Sequence, residues 1–483
     1  MPRRTLAFSA LSAALALPLL VNCSSAENGG VDSGMAGSVN AGATTGSVAG
    51  ASATAGGASA VGGTASSTAG ATSGGGMTSG GGMISGGGMI SAAGAVGTAG
   101  AGVAGSFVGG GTGGGPAVAP LDCGKNGTPL ENHGPPANRL NYVIVGDGYS
   151  EQDLAAGGAL DKHMEAMLAK RFSEIGQPYL RYRNFINICV LRLPSTPICG
   201  SSKFGCCGDD QSRLANCNTQ AVNAAITENV PKSFEVDWRS VVLNGSSWWN
   251  SGGSLMMWSG GNKDAGGAAT HEGAHGFHSL SDEYGNCEVG RVSGEATYGV
   301  NVSLTNASSK DKWDGWLDYT QTPGTGKQGF FGCDGGQTWR PTDNSMMNSL
   351  FGNDPNTSYN AVSREKIVMD IWRVVTTPYD SVEPAAGPVT NPTALTVNVI
   401  DAKVINVDWS VDGNVVAMNG GPTYAIGAAK LAPGAHMVTA RAYDNAGKDL
   451  VRQVPGTTFN RQYWGAGAMG HSDKTVAWTV TIQ

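Results

Sequence analysis

His271 and His275 lie four residues apart, and Glu272 directly follows the first of them. Positions i and i+4 of an α-helix share one face about one turn apart, so two imidazoles at this spacing can bind one metal ion. The glutamate points toward an open coordination position, where it can act as a base on a metal-activated water. The spacing therefore predicts a helix with a zinc site. A bare H-E-x-x-H pattern also arises by chance, so its surroundings decide its meaning.

The N-terminus has the features of an export signal. A charged start precedes an apolar run at 6–21 that is too short for a stable membrane anchor, and Cys23 follows. Residues 20–23 are similar to a lipoprotein cleavage site, although Asn22 replaces the usual small residue. We predict a lipoprotein-type signal peptide at 1–22 and an acylated Cys23, which would attach the chain to an outer membrane or cell surface. Ordinary signal cleavage with secretion is the alternative.

Charge and cysteine usage agree with an exported protein. The formal net charge of −7 provides no basic face, so nucleic acid is not predicted as a partner. Apart from the cysteine of the export signal, eight cysteines remain, and an even number predicts up to four disulfides. We expect the cysteines within 199–217 to staple a Gly-rich loop and Cys287 to pair with Cys333. A cysteine-ligated zinc is the rival interpretation, but Cys206 and Cys207 are adjacent and lack C-x-x-C spacing.

Residues 23–120 form a segment of low complexity. After Cys23 it consists almost wholly of Gly, Ser, Ala, Thr and Val without any Lys or Arg, and three Ser-Gly-Gly-Gly-Met-x hexads follow one another at 73–90. Such a composition cannot bury enough apolar surface to offset its ordering entropy. We predict a long disordered tether that carries a folded part. A small stacked β element built from the hexads is the alternative.

The first folded domain is predicted at 121–382, and its class is α+β. Helical spacing occurs at 150–172, and β-branched or apolar runs that are typical of strands occur at 141–145, 185–191, 241–243 and 255–258. Strands and helices that alternate before a metal-binding helix predict a twisted mixed sheet with that helix packed below it.

A second, all-β domain is predicted at 393–483, after a Pro- and Gly-rich linker at 383–392. Alternating runs indicate strands at 394–400, 404–410 and 475–481, and 431–447 has the pattern of a turn with a pair of strands. Short strands at this spacing predict a small Ig-like sandwich. The segment has no cluster of catalytic residues, so we interpret it as an accessory domain.

The third metal ligand is the main open question. Two histidines are too few for a hydrolytic zinc, which usually has three protein ligands and a water. His278 lies on the same helical face as His271, but about 10 Å farther along the axis of a continuous helix, so one ion cannot reach all three histidines. A ligand placed after the helix, where the chain turns back, is favoured. We rank the candidates as Asp282, Glu283 and then His278 in a bent chain.

A resemblance to a known family rests on the residues around the two histidines. Residues 271–285 resemble the bacterial IgA-peptidase family of zinc metallopeptidases (metallopeptidase family sixty-four, metzincin-like), in which H-E-x-x-H is followed by an L-x-D-E-Y run. The segments 141–149 and 301–317 are similar to other parts of that family. The resemblance covers about 140–372 and leaves the tether and the C-terminal domain outside. His278 stands where the family usually has a small residue.

The resemblance implies a zincin-like fold and identifies the first folded domain as a zinc metallopeptidase domain. In this interpretation His271, His275 and Asp282 hold one zinc ion, which lowers the pKa of its bound water to about 7. Glu272 takes the proton as general base and returns it to the leaving amine. Tyr284 is expected to donate a hydrogen bond to the developing oxyanion.

Two further expectations concern the surroundings of the site. Metzincins place a methionine-containing turn beneath the zinc ligands, and residues 344–348 resemble such a turn, with Met347 preferred over Met346. Ordinary core methionines are the alternative. The strand at 255–258 is expected to offer its edge to an extended substrate.

Three functions remain open. The leading hypothesis is an exported, surface-tethered zinc endopeptidase that hydrolyses protein or peptide substrates. A non-catalytic zinc-binding adhesion module is the second, but the intact Glu272 argues against it because a degenerate enzyme is free to lose its base. A zinc amidase that acts on non-protein amides is the third. The sequence indicates neither the natural substrate nor the oligomeric state.

Overall fold

The computed structural model describes residues 119–287, 299–305, 312–321, 324–336, 338–349, 357–446, 450–452 and 471–483. The predicted signal peptide at 1–22, the acylation site Cys23 and nearly all of the predicted tether at 23–120 lie outside the described residues.

A six-stranded mixed sheet forms the centre of the first domain. The strands before the metal helix are β1 (Gly127–Glu131), β2 (Leu140–Asp147), β3 (Ile186–Leu191), β4 (Cys207–Gly208), β5 (Ala215–Asn216), β6 (Trp238–Leu243), β7 (Asn250–Ser251) and β8 (Met256–Ser259). Six of them lie in the order β1-β3-β2-β6-β8-β7, while β4 and β5 pair separately. The inner strands are parallel, and β1 and β7 are antiparallel edge strands. The predicted mixed sheet is confirmed.

Helices cover both faces of this sheet. They are α1 (Glu151–Leu154), α2 (Ala159–Arg171), α3 (Thr219–Asn229), α4 (Ala265–His278) and α5 (Ala361–Val374). Alternate side chains of β2 point to opposite faces, so Tyr142 and Ile144 pack in the core that includes α2 and α4, whereas Val143 and Val145 pack in the core that includes α3. β2 is therefore buried along its whole length, which explains its continuous apolar run.

Two short hairpins connect α4 to α5 within the described residues. They consist of β9 (Thr320–Gln321) with β10 (Gly326–Lys327) and of β11 (Phe331–Gly332) with β12 (Trp339–Arg340).

The single helix expected at 150–172 is interrupted. Ser150 begins α1 with a capping box that it shares with Asp153, and α1 ends after one turn. Gly157 then adopts a φ of +75°, which a right-handed helix does not allow, and Gly158 caps the start of α2. The apolar spacing of the sequence continued across this break, so spacing alone did not reveal it.

The metal helix α4 lies very close to the sheet at Gly273. A Cβ atom at this position would come within 2.6 Å of the Trp238 ring of β6. Arg171 of α2 stacks over that ring, with its guanidinium carbon 4.6 Å from the ring centroid, and donates a hydrogen bond to the Ala269 carbonyl of α4 (2.7 Å). The H-E-x-x-H motif therefore needs a glycine at its third position in order to pack on this sheet.

Four disulfides cross-link the described residues of the first domain: Cys123–Cys189, Cys199–Cys207, Cys206–Cys217 and Cys287–Cys333. The stapled loop and the Cys287–Cys333 pair are as expected. Disulfides persist in oxidising compartments, so they indicate an extracellular protein. In the described part of the chain, no helix combines the length and apolar character required to span a bilayer.

The C-terminal part is rich in β-structure. It contains β13 (Tyr379–Glu383), β14 (Gly387–Thr390), β15 (Ala394–Val399), β16 (Ile405–Val411), β17 (Asn414–Ala417), β18 (Thr423–Ala425), α6 (Ile426–Ala429), β19 (Gly434–Asp444) and β20 (Asp473–Ile482). The strands form two sheets, β13-β15-β18 and β14-β20-β19-β16-β17. The stacked rings of Trp409 and Trp478 and the side chain of Val397 from the other sheet are buried in its core.

Two details differ from the sequence interpretation. The segment 383–392, expected to be a linker, contains the end of β13 and the whole of β14. Its Pro388 is compatible with a strand because β14 lies at the edge of its sheet, where a missing N–H leaves no ladder bond unmade. In the segment 431–447, where a turn and a pair of strands were expected, residues 434–444 form one long strand, β19.

The β-rich part is held against the first domain by buried polar contacts. Asp444 accepts hydrogen bonds from the Tyr182 hydroxyl (2.5 Å) and the Trp372 indole nitrogen (2.8 Å). Arg139 makes a bidentate ion pair with Asp380 of β13, with both nitrogen–oxygen distances at 2.7 Å. Bidentate and charge-assisted contacts of this kind fix the orientation of their partners. Because Trp372 lies on α5, the β-rich part also contacts α5.

Candidate metal centre

The two motif histidines present one nitrogen each to a common point. His271 and His275 lie on α4, and their Nε2 atoms are 3.0 Å apart. The Nδ1 of His271 donates to the Met346 carbonyl (2.9 Å), and the Nδ1 of His275 donates to the Leu280 carbonyl (2.5 Å). Because a carbonyl can only accept, these bonds place the proton on Nδ1 and leave the lone pair of each Nε2 for a metal ion.

The third corner is Asp282, which the chain brings back to the helix after a reversal. α4 ends at His278, and Ser279 adopts the left-handed conformation, with a φ of +53°. The chain then doubles back so that Asp282 Oδ1 lies 3.0 Å from His271 Nε2 and 3.1 Å from His275 Nε2. The left-handed cap thus supplies the chain reversal on which the ranking of Asp282 depended.

This arrangement fits a metal ion. The three ligand atoms form a triangle with sides of 3.0, 3.0 and 3.1 Å. Ligands at ~2.0–2.1 Å from a tetrahedral ion are separated by about 3.3 Å, so a small outward movement of the three atoms accommodates one. Two imidazoles and a carboxylate leave the fourth position open, as in catalytic rather than structural sites.

Protons and a metal ion compete for the same atoms of this triangle. Burial lowers the pKa of His275, but the hydrogen bond and charge of Asp282 and the charge of Glu272 outweigh it and raise the pKa to about 9. Burial raises the pKa of Asp282, but hydrogen bonds from the two histidines hold it well below its usual range. A metal ion must therefore displace a proton from the cluster.

Glu272 is buried beside the triangle. Burial raises the pKa of its carboxyl, while the charges of His271 and His275 lower it in part. A raised pKa strengthens a carboxylate as a proton acceptor near neutral pH. Its proton affinity is therefore compatible with the expected role of a base.

Tyr284 lies at the rim of the cluster. Its side chain is 50% exposed, and its ring lies nearly parallel to that of His271 with the centroids 6.3 Å apart. The ring thus lies next to the triangle at the protein surface.

The other two ligand candidates point away from the triangle. His278 is fully buried at the end of α4 and donates from Nδ1 to Asp370 of α5 (3.0 Å), whose carboxylate also binds Lys366. The Glu283 carboxylate is enclosed by side-chain donors from other segments. Their own buried partners hold both side chains outside the metal cluster.

The proposed methionine turn lies directly against the site through its backbone. Met346 supplies the carbonyl that His271 binds, and the Met347 carbonyl accepts the backbone N–H of Glu283 (2.8 Å). Both methionine side chains are buried in the core. These carbonyl partners have no signal in the sequence, because every residue carries the same backbone acceptor.

Part of the chain that contains this site matches a known protein family. The family model described as IgA Peptidase M64 matches residues 128–331. This segment belongs to the M64 peptidase family. The family is one of peptidases, which are hydrolases that act on proteins. The M64 segment carries the whole metal triangle together with Glu272 and Tyr284, and it ends before the methionine turn.

No curated protein sequence matches the chain. A solved structure described as the fibronectin(III)-like modules of Clostridium thermocellum CbhA matches with 18% identity, over 21% of this chain and 95% of that chain, at a TM-score of 0.13. The strand pairing itself defines the β-rich part that follows the M64 segment.

The sheet edge beside the metal cluster is β7. β7 pairs with β8 at Met257 and Trp258, so within the expected segment 255–258 these two residues do not offer a free edge to a substrate. A two-residue strand leaves no periodic signal, so the sequence did not reveal β7. Directly after it, Gly252 lies so close to His275 that a Cβ atom would come 2.5 Å from the Cβ of the histidine.

Gly252→Ala is expected to weaken metal binding by the M64 segment about tenfold or more, the range typical of a disturbed outer-shell contact. The added methyl group must displace His275, one corner of the triangle. Titration of zinc against a competing chelator measures the affinity. Gly332→Ala is the matched control, because a Cβ there meets open space. Equal affinities for Gly252→Ala and the unmodified chain would refute this packing argument.

Asp282→Asn is expected to lower metal content after dialysis more than His278→Ala does. Asparagine keeps the shape of Asp282 but removes the charge that faces both histidines. Removing His278 instead takes one hydrogen-bond donor from the buried Asp370, which keeps Lys366, and this should cost about 1–3 kcal/mol of stability and leave the triangle in place. Metal analysis and thermal unfolding of both variants distinguish these effects. Metal loss confined to His278→Ala would point to a three-histidine site.

Proposed function

We propose that this protein is an exported zinc endopeptidase that hydrolyses peptide bonds of protein substrates. The observation that carries the proposal is the triangle of His271, His275 and Asp282 with Glu272 buried beside it. Two imidazoles and one carboxylate are a donor set typical of catalytic zinc. Membership of the M64 segment in a peptidase family supplies the substrate class.

The side chains divide the chemistry between them. When bound at the triangle, zinc supplies a Lewis acid that activates water and polarises the scissile carbonyl. Glu272 accepts the proton of the attacking water and transfers it to the leaving amine. Burial shields the Glu272 carboxylate from hydrogen bonds with water and raises its pKa. Tyr284, at the exposed rim, donates a hydrogen bond to the oxygen that gains negative charge.

An extended substrate would lie along the β7 edge. The Asn250 N–H, on the outer side of β7, is taken by the Arg213 carbonyl of the disulfide-stapled loop (3.1 Å). Residues of a strand alternate in the direction of their backbone groups, so the next outward-facing position is Gly252. Gly252 also contacts His275, so a strand paired there brings its peptide bond to the metal cluster.

Casein degradation by the purified chain tests the proposal. We expect cleavage that a chelator abolishes and that added zinc restores. Stoichiometric zinc binding without cleavage of any protein would favour the adhesion module. Cleavage of small non-protein amides alone would favour an amidase. Chelator-resistant proteolysis would exclude the metal mechanism altogether.

We further propose that lipid on Cys23 tethers the exported chain to an outer membrane or cell surface. The disulfides of the first domain support export, and the lipoprotein-type signal suggests the anchor. Membrane fractionation tests it: the unmodified chain should sediment with membranes and Cys23→Ala should not. Equal sedimentation of both would leave secretion or an uncleaved signal as the explanation.

A further inference from the structure

Glu283 directly follows the third corner of the metal triangle, yet its side chain faces the protein interior. The residue is completely buried, and three side chains donate hydrogen bonds to its carboxylate. Asn301 and Asn360 each donate an amide N–H to Oε1, both at 2.8 Å. Ser345 donates its hydroxyl to Oε2 at 2.7 Å. A buried carboxylate is stable only when it is bonded in this way.

The three donors belong to separate parts of the chain. Asn301 also binds the backbone of Ser281 at both its N–H and its carbonyl (2.9 and 2.8 Å). Ser345 lies in the methionine turn, where its hydroxyl accepts the Met347 N–H (3.1 Å). Asn360 caps the N-terminus of α5. One carboxylate therefore connects the ligand loop (the segment after α4 that carries Ser281 and Asp282), the methionine turn and a core helix.

The backbone of Glu283 is held as firmly as its side chain. Its N–H donates to the Met347 carbonyl (2.8 Å), and its carbonyl accepts a hydrogen bond from Arg340 (2.6 Å). Since the adjacent Met346 carbonyl orients His271, the same turn supports two corners of the triangle. Movement of Glu283 would therefore shift Asp282 and release His271 from its orienting turn.

We infer that Glu283 is the positioning residue of the metal centre, which sets Asp282 Oδ1 at its distance from the two histidines by clamping the ligand loop to the methionine turn. The inference rests on the proposed metal-dependent function. Outer-shell partners that orient ligands typically contribute about 10–100-fold to metal affinity. We therefore expect Glu283→Ala to weaken zinc binding by about that factor.

Glu283→Gln distinguishes positioning from mere charge. A glutamine can still accept both amide bonds through its oxygen, and its nitrogen can donate to the Ser345 hydroxyl, so the clamp keeps its shape. Its zinc affinity is expected to stay close to that of the unmodified chain. Ser345→Ala removes a single donor and leaves almost no cavity, so it folds more readily than Glu283→Ala and should weaken zinc binding in the same direction by less.

The control is Glu131, another buried carboxylate, which lies on β1 at the opposite edge of the sheet and binds Arg183 and His133. Glu131→Ala should lower the unfolding temperature without changing zinc affinity. Because a general loss of stability leaves bound geometry intact, the visible spectrum of the Co²⁺-substituted full chain is the second readout. We expect it to change in Glu283→Ala and Ser345→Ala and to be normal in Glu131→Ala and Glu283→Gln.

Unchanged zinc affinity and Co²⁺ spectra in both Glu283→Ala and Ser345→Ala would overturn the positioning role. Equal losses of affinity in Glu131→Ala would also overturn it, because the effect would then be one of general stability. If the unmodified chain itself binds no zinc, the proposed function fails, and the positioning role fails with it. Metal binding by the unmodified chain thus separates the two failures.

Discussion

Glu272→Gln is expected to retain its metal ion and to lose about 10²–10⁴-fold in kcat/KM, the usual contribution of a positioned general base. The glutamine amide has nearly the same shape but cannot accept the proton of the attacking water. Since Glu272 is not a corner of the triangle of His271, His275 and Asp282, the ligand atoms stay in place. Peptide hydrolysis assays together with metal analysis of the same preparation measure both effects.

Glu131→Gln is the matched control for this substitution. It makes the same chemical change at another buried glutamate, which belongs to β1 rather than to the metal helix. Its kcat/KM should equal that of the unmodified chain. Near-normal turnover by Glu272→Gln would exclude Glu272 as the base, and loss of the metal from that variant would show that Glu272 instead contributes to binding.

His275→Ala is expected to lose zinc on dialysis, with an affinity decrease of at least about 10²-fold, more than the ~10–100-fold typical of an outer-shell partner. The change removes one of only three protein ligand atoms and leaves the charge of Asp282 facing His271 alone. Proteolysis should disappear with the metal. Zinc titration and an activity assay with excess zinc measure the two losses.

His436→Ala controls for the removal of a histidine from a His–Asp pair. His436 lies on β19 of the β-rich part, and its Nδ1 is 2.8 Å from Asp412. It should bind zinc and cleave protein like the unmodified chain. Stoichiometric zinc in dialysed His275→Ala would contradict the ligand role of His275.

The local features of the site could be predicted from the sequence. The spacing of His271 and His275 requires a helix, and α4 spans both. The argument from axial distance removed His278 from their reach and favoured a residue after a chain reversal, and Asp282 is the residue that lies against both histidines. These inferences succeed because helical geometry is the same in every protein.

Pairing over long sequence distances was less accessible. The β-branched run of β2 identified a buried strand. In contrast, β7 has only two residues and is defined by its hydrogen-bonded pairing with β8. The Pro- and Gly-rich segment at 383–392 has the composition of a linker, yet β14 forms there because the edge of β20 accepts it. Composition describes what a segment tolerates, and its neighbours in space decide what it does.

The sequence by itself determined the chemistry available to this protein: two imidazoles at helical spacing, a glutamate between them and an acidic cluster downstream. Only the tertiary structure decided which acidic side chain faces the two histidines. Asp282 and Glu283 are adjacent and chemically alike, but Asp282 faces the histidines, whereas three donors from distant segments enclose Glu283. Local spacing specifies the backbone position of a residue. The direction of its side chain depends on the hydrogen-bond partners of its polar atoms, and these come from all parts of the folded chain.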